Sequence, residues 1–298
     1  MQFNSQCIAC LIKRQMAQIA EFDDEQKKLD YMKDVCRIIA ESPEGVAAPY
    51  LVSRFGRAFD KYFHIKDVYA EIKKESNDFV LERLDRVQQV IDSSDDPLLC
   101  ALKYARLGNY IDFGALHGGV DMSELDKKLD SAKNEAVDPV EYENLKADLA
   151  KAKKVLYITD NAGEIVLDKI FLQKLKEYYP NAEFVAATRG APVINDATRE
   201  DAYYIGLDKI VKVIDNGTDI SGTQISEVGE EMKKALDDAD VIIAKGQGNF
   251  ETMLGCGLNV YYVYLCKCDL FVKSFGVPRL TGVLFNEKRV SVKWNGLK

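Results

Sequence analysis

The sequence predicts an α/β protein: a Rossmann-like, mainly parallel sheet flanked by helices and preceded by an all-helical domain. Three observations lead there. From Cys7 to about Ala150 the apolar residues recur at helical spacing, with few strand-like runs. From Lys154 onward short apolar runs alternate with helical stretches, the order that parallel strands joined by right-handed crossovers require. Those runs stop on acids, amides, basic residues and glycines, and open α/β sheets bind ligands at the carboxyl ends of their strands. The expected domains are 1–150, helical, and 151–298, an α/β metal- and phosphate-binding domain.

In the first half, Ile8, Leu11, Ile12 and Met16 form one apolar stripe. Leu29, Met32, Val35, Cys36 and Ile39 form a second, stopped at Ser42 and Pro43. A third helix is expected over 46–63 and a long charged one over 65–91, with Val68, Ile72, Val80, Leu84, Val87 and Ile91 inward. Its charge runs read as a solvated face. After the polar turn 92–96, Pro97 opens an apolar helix to Ala105 that leads into Gly108, Asn109, Tyr110, Ile111 and Asp112. Asn109 and Asp112 share a helical face and would serve as caps or breaks near Gly108 and Gly114. Helices over 123–134 and from Pro139 to about Lys153 complete this half. His64 and His117 are the chain's two histidines, too few for a His-based metal site, and both read as structural or surface groups.

In the second half, strands are expected at 155–159, 183–188, 210–214, 241–244 and 259–265. Val155, Leu156, Tyr157 and Ile158 form the continuous apolar run of a strand buried on both faces, which belongs in the sheet centre. Asp160 and Asn161 end it, and Gly163 allows a tight turn into a helix from Glu164 to Tyr178. Two hard oxygen ligands side by side suit Mg²⁺ or Mn²⁺. A plainer reading makes Asn161 a helix cap, with Glu164 completing a capping box. The second strand ends in Thr188, Arg189 and Gly190, with Asn195 and Asp196 beyond a Pro-containing loop. Another ends in Lys245, Gly246, Gln247, Gly248 and Asn249. Together these ends offer what binds a metal and a phosphate at once. Asp215 to Thr218 reads as a plain Asn-Gly turn, and 281–294 as a hairpin about 286–288.

Composition sets outer bounds. A chain of 298 residues that is 47% hydrophobic and 30% charged can bury a substantial core in one large or two ordinary domains. The net charge of −8 argues against a nucleic-acid partner. No apolar run reaches a membrane span and no signal pattern opens the chain, so a cytoplasmic protein without a membrane partner is expected. Seven cysteines without a secretion pattern suggest reduced thiols. Cys7 and Cys10 form CxxC, and Cys266 and Cys268 form CxC; the four would make a structural zinc site if the chain ends met. The simpler reading is small buried residues on a first helix.

The set D-N-x-G-E at 160–164, T-R-G-x-P-x-x-N-D at 188–196 and K-G-x-G-N at 245–249 resembles the metal-dependent damage-control phosphatase family, also known as domain of unknown function 89. The CxxC and the G-N-Y-I-D segment at 108–112 are similar to its microbial branch. The resemblance implies a divalent cation (Mn²⁺, Mg²⁺, Co²⁺ or Ni²⁺) and a small phosphorylated metabolite such as a sugar phosphate as substrate, with the 108–112 element reaching over the site. Asp160, Asn161 and Asp196 are then the expected metal ligands. Arg189 and Lys245 would neutralise phosphate, Asn249 and the glycine turn would donate hydrogen bonds, and Glu164 would orient water. Ala162 stands two after Asp160, so the D-x-D signature of aspartyl-phosphate hydrolases is absent and metal-activated water is the expected nucleophile. The alternatives are an S-adenosylmethionine-dependent carboxyl methyltransferase and a non-catalytic phosphometabolite-binding protein. The first is disfavoured because Gly163 stands alone where such folds carry a glycine-rich loop.

Overall fold

The computed structural model describes residues 1–111 and 122–289. Asp112, His117 and the second arm of the expected carboxyl-terminal hairpin lie outside them. The helical half contains α1 (Ser5–Gln18), α2 (Glu25–Ala40), α3 (Ala48–Phe63), α4 (Ala70–Leu81), α5 (Leu84–Asp92) and α6 (Pro97–Gly108). Then come α7 (Met122–Ser131), a 3₁₀ turn (Ala132–Asn134) and α8 (Pro139–Leu149). The alternating half runs β1 (Lys154–Ile158), α9 (Glu164–Tyr178), β2 (Glu183–Thr188), α10 (Arg199–Tyr204), β3 (Lys212–Asp215) and α11 (Glu230–Asp238). It ends with β4 (Val241–Lys245), α12 (Gln247–Met253), β5 (Val260–Leu265), α13 (Asp269–Phe275) and β6 (Gly282–Asn286).

The sheet order is β3-β2-β1-β4-β5-β6, parallel except for β6, which pairs antiparallel with β5. The apolar run at 155–158 is therefore central, and the strand order reverses between β1 and β4. That reversal opens a crevice beyond the carboxyl ends of the two strands, which is where such sheets take ligands.

Alternation along the strands assigns each side chain to a face. Val155, Tyr157, Val241 and Ile243 pack on the side of α6 and α9, with Leu102, Ala105, Val166 and Ile170. Leu156, Ile158, Ile242 and Ala244 pack on the other side with Phe250, Tyr262, Tyr264 and Phe271. The first of these cores runs without interruption into Val80, Val87, Leu98, Leu125 and Leu145 of the helical half. Helices α1 to α3 instead gather a core of their own around Tyr31, Leu51, Phe55 and Phe59.

The long helix expected over 65–91 is two helices. α3 ends at His64 in a left-handed conformation, φ 58°, and 65–69 are not helical. At the break between α4 and α5, the Arg83 amide donates to Val80 O at 3.0 Å in the tighter i−3 pattern. The Arg83 guanidinium takes the Phe79 carbonyl at 2.9 Å that a continuous helix would have given to the amide. Among the described residues no helix is long and apolar enough to cross a membrane.

Candidate active site

The centre is built by backbone pairing between two strand ends. Ala197 N donates to Asp160 O at 2.7 Å and Ala162 N to Asn195 O at 2.9 Å, so Asn161 and Asp196 face each other as an antiparallel bridge. Three of the expected ligands, Asp160, Asn161 and Asp196, are thereby brought side by side, each no more than 5% exposed. Gly163 closes the turn with φ 78°, and the Asn77 Oδ1 of α4 accepts its amide at 2.6 Å. Asn77 Nδ2 donates to Asp201 at 3.1 Å, so one amide from the helical half ties the segments after Asp160 and after Asp196 together. Gly246 stands against Asp160 itself: a Cβ there would come within 2.5 Å of Oδ1 and closer still to Cγ and Oδ2.

Asp160 Oδ2 accepts from Asn109 Nδ2 and Asn161 Nδ2, both at 2.8 Å, and Oδ1 from Arg189 Nη2 at 3.4 Å. Burial, then the charges of Asp196 and Glu164, push its carboxyl well above the usual carboxylate range, against the opposing charges of Arg189 and Lys267. Asp196 accepts from Arg189 Nε at 2.6 Å and from Ser221 Oγ at 2.9 Å. Glu164 Oε2 accepts from Asn161 Nδ2 at 2.8 Å and Asn109 Nδ2 at 3.0 Å. The capping reading survives in part: Asn161 N reaches Glu164 Oε2 at 3.4 Å, but Gly163 holds the N-cap position.

Two expected phosphate groups stand elsewhere. Lys245 is fully buried, and its Nζ donates to Glu164 Oε1 at 2.7 Å, Asp168 Oδ1 at 2.6 Å and Ala105 O at 2.8 Å. The reason is parity: Lys245 follows Val241 and Ile243 on the face toward α9, away from the crevice. Burial lowers its pKa, but Asp168 and Glu164 more than offset this and hold the ammonium charged. Asn249 donates to Lys245 O at 2.6 Å and Thr159 O at 3.2 Å and accepts from Thr223 Oγ1 at 2.8 Å and Arg189 Nη1 at 3.4 Å. Its amide buttresses β1, β4 and Arg189 and has no donor left for phosphate.

Sequence reasoning missed Asp168, Ser221 and Thr223. Asp168 had a signal, since it lies four residues after Glu164 and so on the same helical face. Ser221 and Thr223 sit in a polar loop with none. Asp168 Oδ1 also accepts from Tyr157 OH at 2.7 Å, while the buried Oδ2 has no partner among the described residues. Burial pushes Asp168 up to about 7, with the Lys245 charge pulling against it.

Asp160, Glu164, Asp168 and Asp196 thus face Arg189, Lys245 and Lys267, all buried, and such a surplus of carboxylate suits a cation. Among the described residues no three of His, Cys, Asp and Glu gather closely enough to hold a metal ion. The donor set here is two carboxylates and an amide, which needs no third acid. Asn161 would turn its amide so that Oδ1 rather than Nδ2 faces Asp160, a rotation about one side-chain bond. The four cysteines of the alternative zinc site are free thiols, Cys266 buried and Cys10 exposed, and form no such group. Burial raises Cys268 to about 12, with the charges of Glu251 and Cys7 adding to it, and Cys266 to about 11.

A central strand ending in an acid and an amide, clamped to a second acid and an arginine across a Rossmann-like crevice, defines a ligand site at the carboxyl ends of the strands. Residues 3–282 match the damage-control phosphatase ARMT1-like domain, and the chain belongs to that family. A damage-control phosphatase of Archaeoglobus fulgidus is 30% identical over 282 residues, covering 93% of this chain and 96% of the relative. An uncharacterized protein of Methanocaldococcus jannaschii is 31% identical over 287 residues, 91% of each chain. The crystal structure of a DUF89 family protein from Pyrococcus horikoshii matches with a TM-score of 0.84 at 29% identity, covering 96% of this chain and 99% of that one.

Proposed function

We propose that the protein is a metal-dependent phosphomonoester hydrolase of small phosphorylated metabolites, sugar phosphates or related damaged phosphometabolites, with water as the nucleophile. The observation that carries the reading is the side-by-side placement of Asp160, Asn161 and Asp196 next to Arg189 in one buried crevice. A relative named as a damage-control phosphatase supports it. Carboxylates alone would repel a phosphate dianion. A divalent cation held by those three residues, Mn²⁺, Mg²⁺, Co²⁺ or Ni²⁺, would cancel that repulsion and make a bound water acidic enough to attack.

The remaining steps fall to the chain's own groups. Arg189 lies within reach of both acids and offers its Nη atoms to phosphate oxygens once the carboxylates are otherwise engaged. Glu164, held beside Asn161 and Asp160, takes the proton of the attacking water. A cavity of ≈ 160 Å³ opens between α1, α3 and the loop carrying Val193 and Ile194. None of Asp160, Asn161, Arg189 and Asp196 lines it; its link to the site is the chain from Ile194 to Asp196.

The test is phosphate release from an aryl phosphate and a panel of phosphometabolites with each divalent metal. Asp160→Ala and Asp196→Ala should abolish metal-dependent turnover, a loss of about 1000-fold or more, and Asp160→Asn and Asp196→Asn, which keep an acceptor oxygen for the buried Arg189, should show the same loss without leaving that guanidinium unpaired. Variants that bind Mn²⁺ and hydrolyse the aryl phosphate as the parent does would refute the assignment.

A further inference from the structure

We infer that Asp168 is a positioning residue for Glu164, acting through Lys245; this rests on the role proposed above for Glu164. The Lys245 ammonium has three protons and three acceptors, Ala105 O at 2.8 Å, Glu164 Oε1 at 2.7 Å and Asp168 Oδ1 at 2.6 Å. All three donors are used, so the ammonium stands on a tripod with no freedom to rotate. The far side of Glu164 depends on it. Oε2 is held by Asn109, and by Asn161 only while that amide is not turned toward a cation, whereas Oε1 has Lys245 as its side-chain partner among the described residues.

A lysine and a glutamate alone would make a neutral buried pair. Asp168 adds a second acid at 0% exposure, with one oxygen left unpartnered, on a helix whose neighbouring residues Ile165, Val166, Leu167, Ile170 and Phe171 are apolar. An apolar residue of similar size would suit that packing better. What Asp168 supplies is the third leg. It is itself steadied by the Tyr157 hydroxyl at 2.7 Å, so the line Tyr157, Asp168, Lys245, Glu164 runs from the centre of β1 to the reacting centre. Asp168 Oδ1 bonds Tyr157 and Lys245, and among the described residues no hydrogen bond joins Asp168 to Asp160, Asn161 or Asp196.

The experiment is steady-state hydrolysis of an aryl phosphate with Mn²⁺ by the full chain. Asp168→Ala removes the leg, and kcat should fall about ten-fold or more while KM and the Mn²⁺ affinity measured by titration stay unchanged. Asp168→Asn puts an acceptor oxygen back in the same place and should restore most of the lost kcat. If Asp168→Ala does not fold, Asp168→Leu takes its place, an apolar side chain of similar size that removes the leg without opening a cavity; it should show the same fall in kcat, and a parent-like kcat overturns the inference. A kcat within two-fold of the parent for Asp168→Ala overturns the inference, as does an Asp168→Asn variant no more active than Asp168→Ala. A parent that releases no phosphate with any metal overturns the hydrolase reading itself, which is a separate failure.

Discussion

Replacing Gly246 by Ala tests whether the position of one carboxylate decides metal binding. Two costs act at that residue and they can be separated. Gly246 has φ 81° and ψ 155°, an extended positive-φ conformation essentially confined to glycine, in which a Cβ costs about 1–3 kcal/mol. The new methyl would also stand 2.5 Å from Asp160 Oδ1 and closer to the rest of that carboxyl. Non-bonded carbon and oxygen settle at about 3.5 Å, so the carboxylate must retreat by about 1 Å or more. Gly255 supplies the control, with φ 90° and nothing within 4 Å of a Cβ. Gly255→Ala should cost the backbone term alone, about 1 kcal/mol in urea unfolding, with Mn²⁺ binding untouched. Gly246→Ala should lose about 100-fold or more in Mn²⁺ affinity and in kcat/KM, because a displacement of that size spoils a ligand set. Parent-like Mn²⁺ binding and turnover in Gly246→Ala would show that Asp160 is not where the cation sits.

Two further outcomes concern stability. Asp168 is raised from the ordinary 3.8 to about 7, so between these values the folded protein keeps a proton that the unfolded chain has released. Its contribution is complete below pH of about 4 and is lost as pH rises through 7, so stability falls across that window, by about 4 kcal/mol at most. Urea midpoints for Asp168→Asn should therefore gain on the parent from pH 4.5 to 7.5; a constant difference would refute the shift. Asn77→Ala leaves the buried Gly163 amide without its acceptor, and unfolding should become easier by about 1–3 kcal/mol. A change below about 0.5 kcal/mol would mean that the tie from α4 carries no load.

The strand ends were legible because their chemistry is local. An apolar run stopping on Asp160 and Asn161 can be read without knowing the fold, and the structure places that strand in the sheet centre. The position of Lys245 at a strand end suggests a phosphate group, whereas its parity with Val241 and Ile243 assigns it to the opposite face. Glu164 and Asp168 four apart would have named its partners. The break at Arg83 was not legible, since it depends on a guanidinium taking a carbonyl while also reaching Asp126 at 2.8 Å, 43 residues away. Ser221 meets Asp196 only because two loops converge, and nothing in their local sequence announces it.

The separate core of α1 to α3 has a consequence for how the molecule opens. Phe22, Tyr31, Phe59 and Phe63 pack ring against ring within that bundle, with centroids 4.2 to 5.9 Å apart, while α4 to α8 share their apolar contacts with the sheet. Amides in the bundle therefore exchange with solvent in a cooperative unit of their own, and those of α6 exchange together with β1 and α9. Fluctuations that lift the first three helices leave the acid–amide pair on β1 assembled, because its ties run to α4 and α6 rather than to the bundle.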